Sequence, residues 1–400
     1  MVYLDFAKAF DKVDFGITLE KLHELGVGGK VGKWITSFLS DRVQSVIVEG
    51  VPSNNAPVKS GVPQGSVIGP ILFLIMMGDI DKTVKDSFVS SFADDTRVGH
   101  KVSSTSDEAD LQEDLNRIYL FADMNNMKFN TDKFEFVRYK QANDIAASPV
   151  YVTCDGKSIA EKSSVRDLGV TMSNDGRFSD HINKVRETAC KVTSWILRTF
   201  RSREKHLMLT LWKSLVQPHL DYCCQLWSPK LLGDIAILEQ VQKSFISKIK
   251  GYEHLNYHEK LRKFGLYSLE RRRERYSIIY TWRMIESHVP NIGIQTSVSM
   301  RRGRMCKIPS YRTSAPNWVK NLKEASFCVR GPRLFNCLPK EIRDISSVHI
   351  DVFKAALDSW LSDIPDEPHV PGYTGLRRAD TNSIKDMWSM KAANHGHLGQ

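Results

Sequence analysis

Apolar positions change period repeatedly over the first 175 residues. Val2-Tyr3-Leu4 is a β-type run ending at Asp5. From Thr18, residues Leu19, Leu22 and Leu25 recur near helical spacing until glycines 26, 28 and 29 stop them. Trp34, Ile35 and Phe38 predict another short helix, and residues 45–49 predict a strand that turns at Gly50. The nearly unbroken apolar stretch of residues 66–78 predicts a buried helix. Residues 87–92 and 96–98 read as strands that place Asp94 and Asp95 at a hairpin tip. Leu111, Leu115, Ile118 and Ala122 form one stripe of a helix with an acidic first turn. Phe134–Val137 and Gly169–Met172 add strands, so a sheet layer with packed helices is predicted through about residue 175.

Past that point the pattern is helical. Ile182, Val185, Ala189, Val192 and Ile196 carry one stripe; Leu207, Leu211 and Leu215 a second; Ile235, Leu238, Val241 and Phe245 a third. Basic clusters follow at residues 271–275 and 301–304, and residues 290–316 read as a loop or linker. Val352, Phe353, Ala356, Leu357 and Trp360 predict a last helix. The polar tail after Pro365 reads as disordered. The predicted organisation is 1–175, 176–255, a basic and mostly helical 256–365, and the tail 366–400.

Hydrophobic content of 42% with 26% charged residues fits a globular chain. No apolar run approaches the roughly 20 residues of a membrane span, and no export signal is visible. The seven cysteines form no Cys-x-x-Cys pair, which argues against a zinc site and for reduced thiols. The net charge of +10 is unevenly spread. Residues 1–180 hold 20 Lys and Arg against 26 Asp and Glu, net −6; residues 181–400 hold 36 against 20, net +16. The basic half reads as a surface for a polyanion.

The acidic half carries the candidate chemistry. Asp5 at a strand end and the Asp94-Asp95 pair can converge if their strands are sheet neighbours. Three crowded carboxylates repel one another, an arrangement that divalent cations with oxygen ligands relieve. An Asp-Asp pair alone would equally cap a turn. Its order after Asp5 and the loop Ser60-Gly61-Val62-Pro63-Gln64-Gly65 favours two-metal phosphoryl transfer. Gly61, Pro63, Gln64 and Gly65 form a loop whose backbone can approach a nucleotide, with Gln64 able to bond a sugar or base edge. Phe10 can sit beneath the sugar and exclude a 2′-hydroxyl. Lys133 can neutralise charge or donate a proton at the leaving group. Lys8 and Lys12 read as structural or peripheral.

Together, Tyr3 to Asp14, Gly61 to Pro70, Phe92 to Thr96 and Met127 to Lys133 resemble the catalytic blocks of reverse transcriptases from non-LTR (LINE-like, jockey-type) retrotransposons. Asp167-Leu168-Gly169-Val170 is similar to that family's primer-gripping block, and residues 211–229 and 333–339 are similar to its downstream segments. The resemblance implies an α+β right-hand polymerase: a palm of antiparallel sheet and packed helices, then a mostly helical thumb. It implies metal binding by Asp5, Asp94 and Asp95, with Mg²⁺ or Mn²⁺, and catalytic help from Lys133. Nucleotide contacts would come from Phe6, Phe10, Gly61, Pro63, Gln64 and Gly65, and a primer grip from Leu168 and Gly169. RNA template, DNA primer and deoxynucleotides would be the partners, without a membrane. The family's fingers precede the first block, so the chain reads as truncated there. Two functions follow: an RNA-directed DNA polymerase fragment, or an inert remnant that binds nucleic acid. A nuclear or cytoplasmic ribonucleoprotein location is implied by the resemblance alone, with residues 271–275 a weak import signal.

Overall fold

The computed structural model describes residues 1–140, 149–310, 316–368 and 382–388. It divides into two compact units: residues 1–165 with 173–175, and residues 166–172 with 176–400. The fold class is α+β, as expected. Among the described residues no helix is long and apolar enough to cross a membrane.

A five-stranded sheet organises the first unit. Its order is Phe88–Phe92, Asp95–Gly99, Val2–Leu4, Glu135–Phe136, Ala160–Glu161, antiparallel except for the last pair. Val2, Leu4 and Val98 point into the core by the two-residue period of a strand. Helices α1 (Phe15–Glu24), α2 (Gly29–Leu39), α3 (Gly69–Met77) and α4 (Thr105–Met124) pack into the same core. Asp14 caps α1 by accepting from Ile17 N at 3.1 Å, and Ser104 with Asp107 forms a capping box on α4. α3 starts at Gly69 rather than 66, because Ser66 closes a turn there: its Oγ accepts from Gly69 N at 3.1 Å. Nor is α3 wholly buried, for Ile71 and Leu74 are more than half exposed. The strand expected at residues 45–49 is two short ribbons, Val43–Gln44 with Ala56–Pro57 and Ile47–Val48 with Val51–Pro52.

Helices dominate the second unit, notably α5 (Ser179–Thr199), Leu232–Ile246, Leu269–Ile285, Phe327–Asn336 and Ile350–Ser362. A π-turn at Trp212–Val216 precedes Pro218, whose missing N–H disturbs the helical ladder. Two cores form, one around Trp212, Trp227 and Phe245, the other around Trp282 and Phe353, whose rings stack at 4.7 Å.

Three expectations for this half need correction. Within residues 290–316, Thr296–Ser299 and Gly303–Cys306 pair as a hairpin. The basic cluster 271–275 is framework rather than part of an open polyanion surface. Arg271 and Arg273 are buried, Arg272 pairs with Asp221 at 2.9 Å, and Arg275 pairs with Asp358 at 2.5 Å. Most of its charge is therefore buried or paired within the chain. Part of the tail is also ordered. Glu274 accepts from Ile384 N and Ser383 Oγ, each at 2.8 Å, and buried Asn382 donates to Asp366 and Ser268. Of these partners, Glu274 and Ser268 lie more than a hundred residues away, so local composition did not signal the order. Residues 369–381 and 389–400 lie outside the described residues.

Candidate active site

The sheet register builds the acidic cluster. Leu4 pairs with Thr96 and Phe92 with Asp95, so Asp5 follows one strand where Asp95 begins its antiparallel neighbour. Ala93 and Asp94 form the two-residue hairpin connection, with Ala93 at φ +54°. The segment carrying Lys133 is tied to the same edge: Asn130 N donates to Asp5 O and Ala7 N to Lys128 O, both at 2.8 Å. Lys133 Nζ then donates to Asp5 Oδ2 at 3.0 Å.

Electrostatics agree with this convergence. Burial raises the Asp95 carboxyl above its ordinary value, and the charges of Asp94 and Asp5 add to the rise. The hydrogen bond to Asp5 raises Lys133, helped by the charges of all three aspartates. One ammonium thus faces three carboxylates. The set is open, however. Among the described residues, the group whose ligand atoms all lie within 4.8 Å of one another is His100, Asp107 and Asp110. That group was not foreseen, and its Asp107 is already engaged in the α4 capping box with Ser104.

The glycine-rich loop is zipped to the turn after Asp5, with Gly61 N donating to Val13 O at 2.8 Å and Val62 N to Phe10 O at 2.9 Å. Its two glycines differ in use. Gly61 has φ +89°, and a Cβ there would lie 2.7 Å from Asp11 Cα, so it serves chain-to-chain packing. Gly65, at φ +81° with nothing within 4 Å, is the one with an open face. Gln64 Nε2 donates to Asp11 Oδ1 at 2.8 Å, an orienting partner the sequence reading missed. Phe10 stacks on Phe73 with centroids 4.8 Å apart and lines a cavity of about 280 Å³ with Pro63, Gln64, Gly65 and Pro70. Phe6 is 3% exposed and stacks on Phe129, so its ring belongs to the core.

Another missed residue is Asp114, fully buried on α4. Its carboxylate accepts from Lys85 N, Asp86 N, Ser87 N and Arg117 Nη1 at 2.6–3.1 Å. It thereby fixes the chain that enters the acid-bearing hairpin. An Asp interrupting the 111–115–118 stripe was its signal. Leu168 and Gly169 lie in the second unit at a hairpin tip, with φ +44° and +85°. Tyr222 Oη donates to Leu168 O there at 2.8 Å.

Residues 1–172 match the family model described as reverse transcriptase (RNA-dependent DNA polymerase). Over 260 residues the chain is 27% identical to the RNA-directed DNA polymerase from mobile element jockey of Drosophila melanogaster, covering 62% of this chain and 28% of that protein. The probable RNA-directed DNA polymerase from transposon X-element of the same organism is 26% identical, with coverages of 63% and 28%. Among solved structures, Candida albicans telomerase in complex with a fragment of telomeric RNA aligns at 12% identity and a TM-score of 0.37, covering 63% of this chain and 48% of that one. The chain thus spans little more than a quarter of the length of the retrotransposon proteins it matches. The match to the reverse transcriptase family model thus covers the first 172 residues, and the chain is similar to the LINE-like, jockey-type elements.

Proposed function

We propose that the chain is the polymerising portion of an RNA-directed DNA polymerase, which extends a DNA primer 3′-hydroxyl with deoxynucleotides on an RNA template. The observation that carries this reading is that adjacent antiparallel strands bring Asp5, at the end of one, to the hairpin turn that holds Asp94 and Asp95, with Lys133 Nζ 3.0 Å from Asp5. Burial raises Asp95, and the charges of Asp94 and Asp5 add to the rise against Arg97 and Lys133; hard oxygen donors such as these suit Mg²⁺ or Mn²⁺. Asp5, Asp94 and Asp95 would hold two such ions, which when bound activate the primer hydroxyl and offset charge on the transferring phosphoryl group.

The remaining roles belong to the chain's own side chains. Lys133 places its positive charge, and a transferable proton, beside the leaving pyrophosphate. Phe10, braced on Phe73, sets the floor beneath the sugar and disfavours a 2′-hydroxyl. Gln64, oriented by Asp11, presents its amide to the sugar or base edge, and Pro63 and Gly65 shape the open side of the loop. Leu168 and Gly169 offer a tight backbone turn to the primer strand. The work would be done in a nuclear or cytoplasmic ribonucleoprotein.

Primer extension on an RNA homopolymer with Mg²⁺ tests the proposal. The Asp94→Asn, Asp95→Asn variant should lose at least about 100-fold in rate. Extension at the unsubstituted rate by that variant would overturn it.

A further inference from the structure

The hairpin of Thr296–Ser299 and Gly303–Cys306 has one edge capped and the other open. Lys307 N donates to Gln295 O at 2.8 Å, which sets the phase of the antiparallel ladder. Alternate residues bond across such a ladder. The main-chain groups of Arg304 and Cys306 on one strand, and of Thr296 and Val298 on the other, therefore point away from the hairpin. On the Gly303–Cys306 side these groups are taken. Arg304 N donates to Asp344 Oδ1 at 2.7 Å. Cys306 N donates to Asn336 Oδ1 at 2.8 Å, and Asn336 Nδ2 donates back to Cys306 O at 2.9 Å, so one amide side chain stands in for a neighbouring strand. The other edge has no such cap: among the described residues, no hydrogen bond from outside the hairpin reaches the N–H or C=O of Thr296 or Val298. An exposed edge of this kind is a template for strand addition.

The surroundings specify what the edge can take. Thr296–Ser299 is exposed along its length, and Val298 and Met300 offer apolar side chains to solvent. Arg301 and Arg302 at the turn and Lys307 at the open end are exposed, and their side chains have no hydrogen-bond or ion-pair partner among the described residues. The acids beside the hairpin are engaged, Glu286 by the Arg304 guanidinium and Ser347 N, Asp344 by Arg304 N. A second copy laid antiparallel on the same edge would bring the arginines of one copy to Lys307 of the other, a like-charge contact. Phosphates carry acceptors only, whereas an edge of alternating N–H and C=O groups needs donors as well.

We propose that this edge takes an extended peptide segment of a partner protein by strand addition, its short apolar centre flanked by Asp or Glu at both ends. The peptide's main chain pairs with the outward groups of Thr296 and Val298, which supplies affinity without choice of sequence. Its apolar side chains lie beside Val298 and Met300, and its acids meet Arg301 and Arg302 at one end and Lys307 at the other, which fixes direction and register. The proposal stands apart from the polymerase reading, since none of these residues belongs to the acidic cluster or the nucleotide loop.

The test uses the full chain and a fluorescent peptide of three Val-Thr pairs with two Asp at each end. Anisotropy should show saturable binding, and hydrogen exchange should slow at the amides of Thr296 and Val298 when the peptide is added. Val298→Pro removes one outward N–H and leaves the cross-strand ladder intact, so it should weaken binding about tenfold or more, while Val298→Thr should stay within about threefold. Circular dichroism checks that each variant folds. Two versions of the peptide, N-methylated on alternate sets of amides, keep the test standing on unsubstituted protein: one should lose binding and the other keep it. Arg301→Gln, Arg302→Gln, Lys307→Gln should bind about tenfold more weakly at low salt and lose most of the salt dependence. No saturable binding, equal binding of both methylated peptides, or affinity indifferent to the three charges would overturn the proposal. Protection of the same amides by an RNA homopolymer and not by the peptide, or a dimer of the chain abolished by Val298→Pro, would assign the edge to those partners and overturn it too.

Discussion

Asp114 should govern whether the acid-bearing hairpin is held in place. Its Oδ1 accepts from Lys85 N at 2.9 Å and Arg117 Nη1 at 2.6 Å; its Oδ2 accepts from Asp86 N at 3.1 Å and Ser87 N at 2.8 Å. In Asp114→Asn one oxygen becomes an NH₂ of nearly the same size, so packing is preserved while two donors come to face a donor. Each donor left unsatisfied costs about 1 kcal/mol or more, and the charge-assisted bond to Arg117 is worth about 1.5–3 kcal/mol, giving a loss of about 3–5 kcal/mol. Burial pushes this carboxyl up, but the backbone hydrogen bonds outweigh it, and its folded value lies below the ordinary 3.8. Its stabilising contribution is therefore present above pH 3.8 and is lost as pH falls through the lower folded value. Urea unfolding followed by circular dichroism at pH 7 and through the acid range measures both effects. A loss at pH 7 under about 1 kcal/mol would refute the reasoning.

Three further outcomes are expected. Gly61→Ala should destabilise by about 3 kcal/mol or more, combining a left-handed backbone with the clash on Asp11, while Gly65→Ala should cost only the backbone term of about 1–2 kcal/mol; equal urea midpoints would contradict the distinction. Burial pushes the Glu239 carboxyl up to about 7, partly opposed by the hydrogen bond from Tyr257. Its contribution is then full below 4.5 and is lost as pH rises to 7, by roughly 3 kcal/mol; Glu239→Gln should flatten that part of a stability–pH curve, and an unchanged slope would exclude it as the source. Phe10→Val should reduce discrimination against ribonucleotides about tenfold or more in single-nucleotide incorporation; unaltered sugar choice would remove Phe10 as the gate.

Much of the first unit was legible because its signals are local. Alternation around Asp94-Asp95 predicted the hairpin, and the same period of two puts Val2, Leu4 and Phe6 on one face with Asp5 on the other. Applied strictly, that period would have sent Phe6 to the core at once. Long-range pairing stayed hidden: Lys133 meets Asp5 across 128 positions, and Lys59 lines one cavity with Lys8 and Lys12 only because the loop at Gly61 folds onto Asp11. Charge runs misled where helices are interior. Arg272 and Arg275 are satisfied by Asp221 and Asp358, which nothing near them in sequence announces. The ordered segment at residues 382–388 escaped notice for the same reason, since the remote Glu274 and Ser268 hold it.

The central claim is that Asp5, Asp94 and Asp95 form the divalent-cation site. Mn²⁺ titration followed by electron paramagnetic resonance, with a deoxynucleoside triphosphate present and nucleotide-only blanks subtracted, tests it most directly. Protein-dependent Mn²⁺ binding should be lost in Asp94→Asn, Asp95→Asn and retained in His100→Ala, which removes the imidazole of the tighter His100, Asp107, Asp110 group. Binding that survives the paired aspartate substitutions and disappears with His100 would contradict the account.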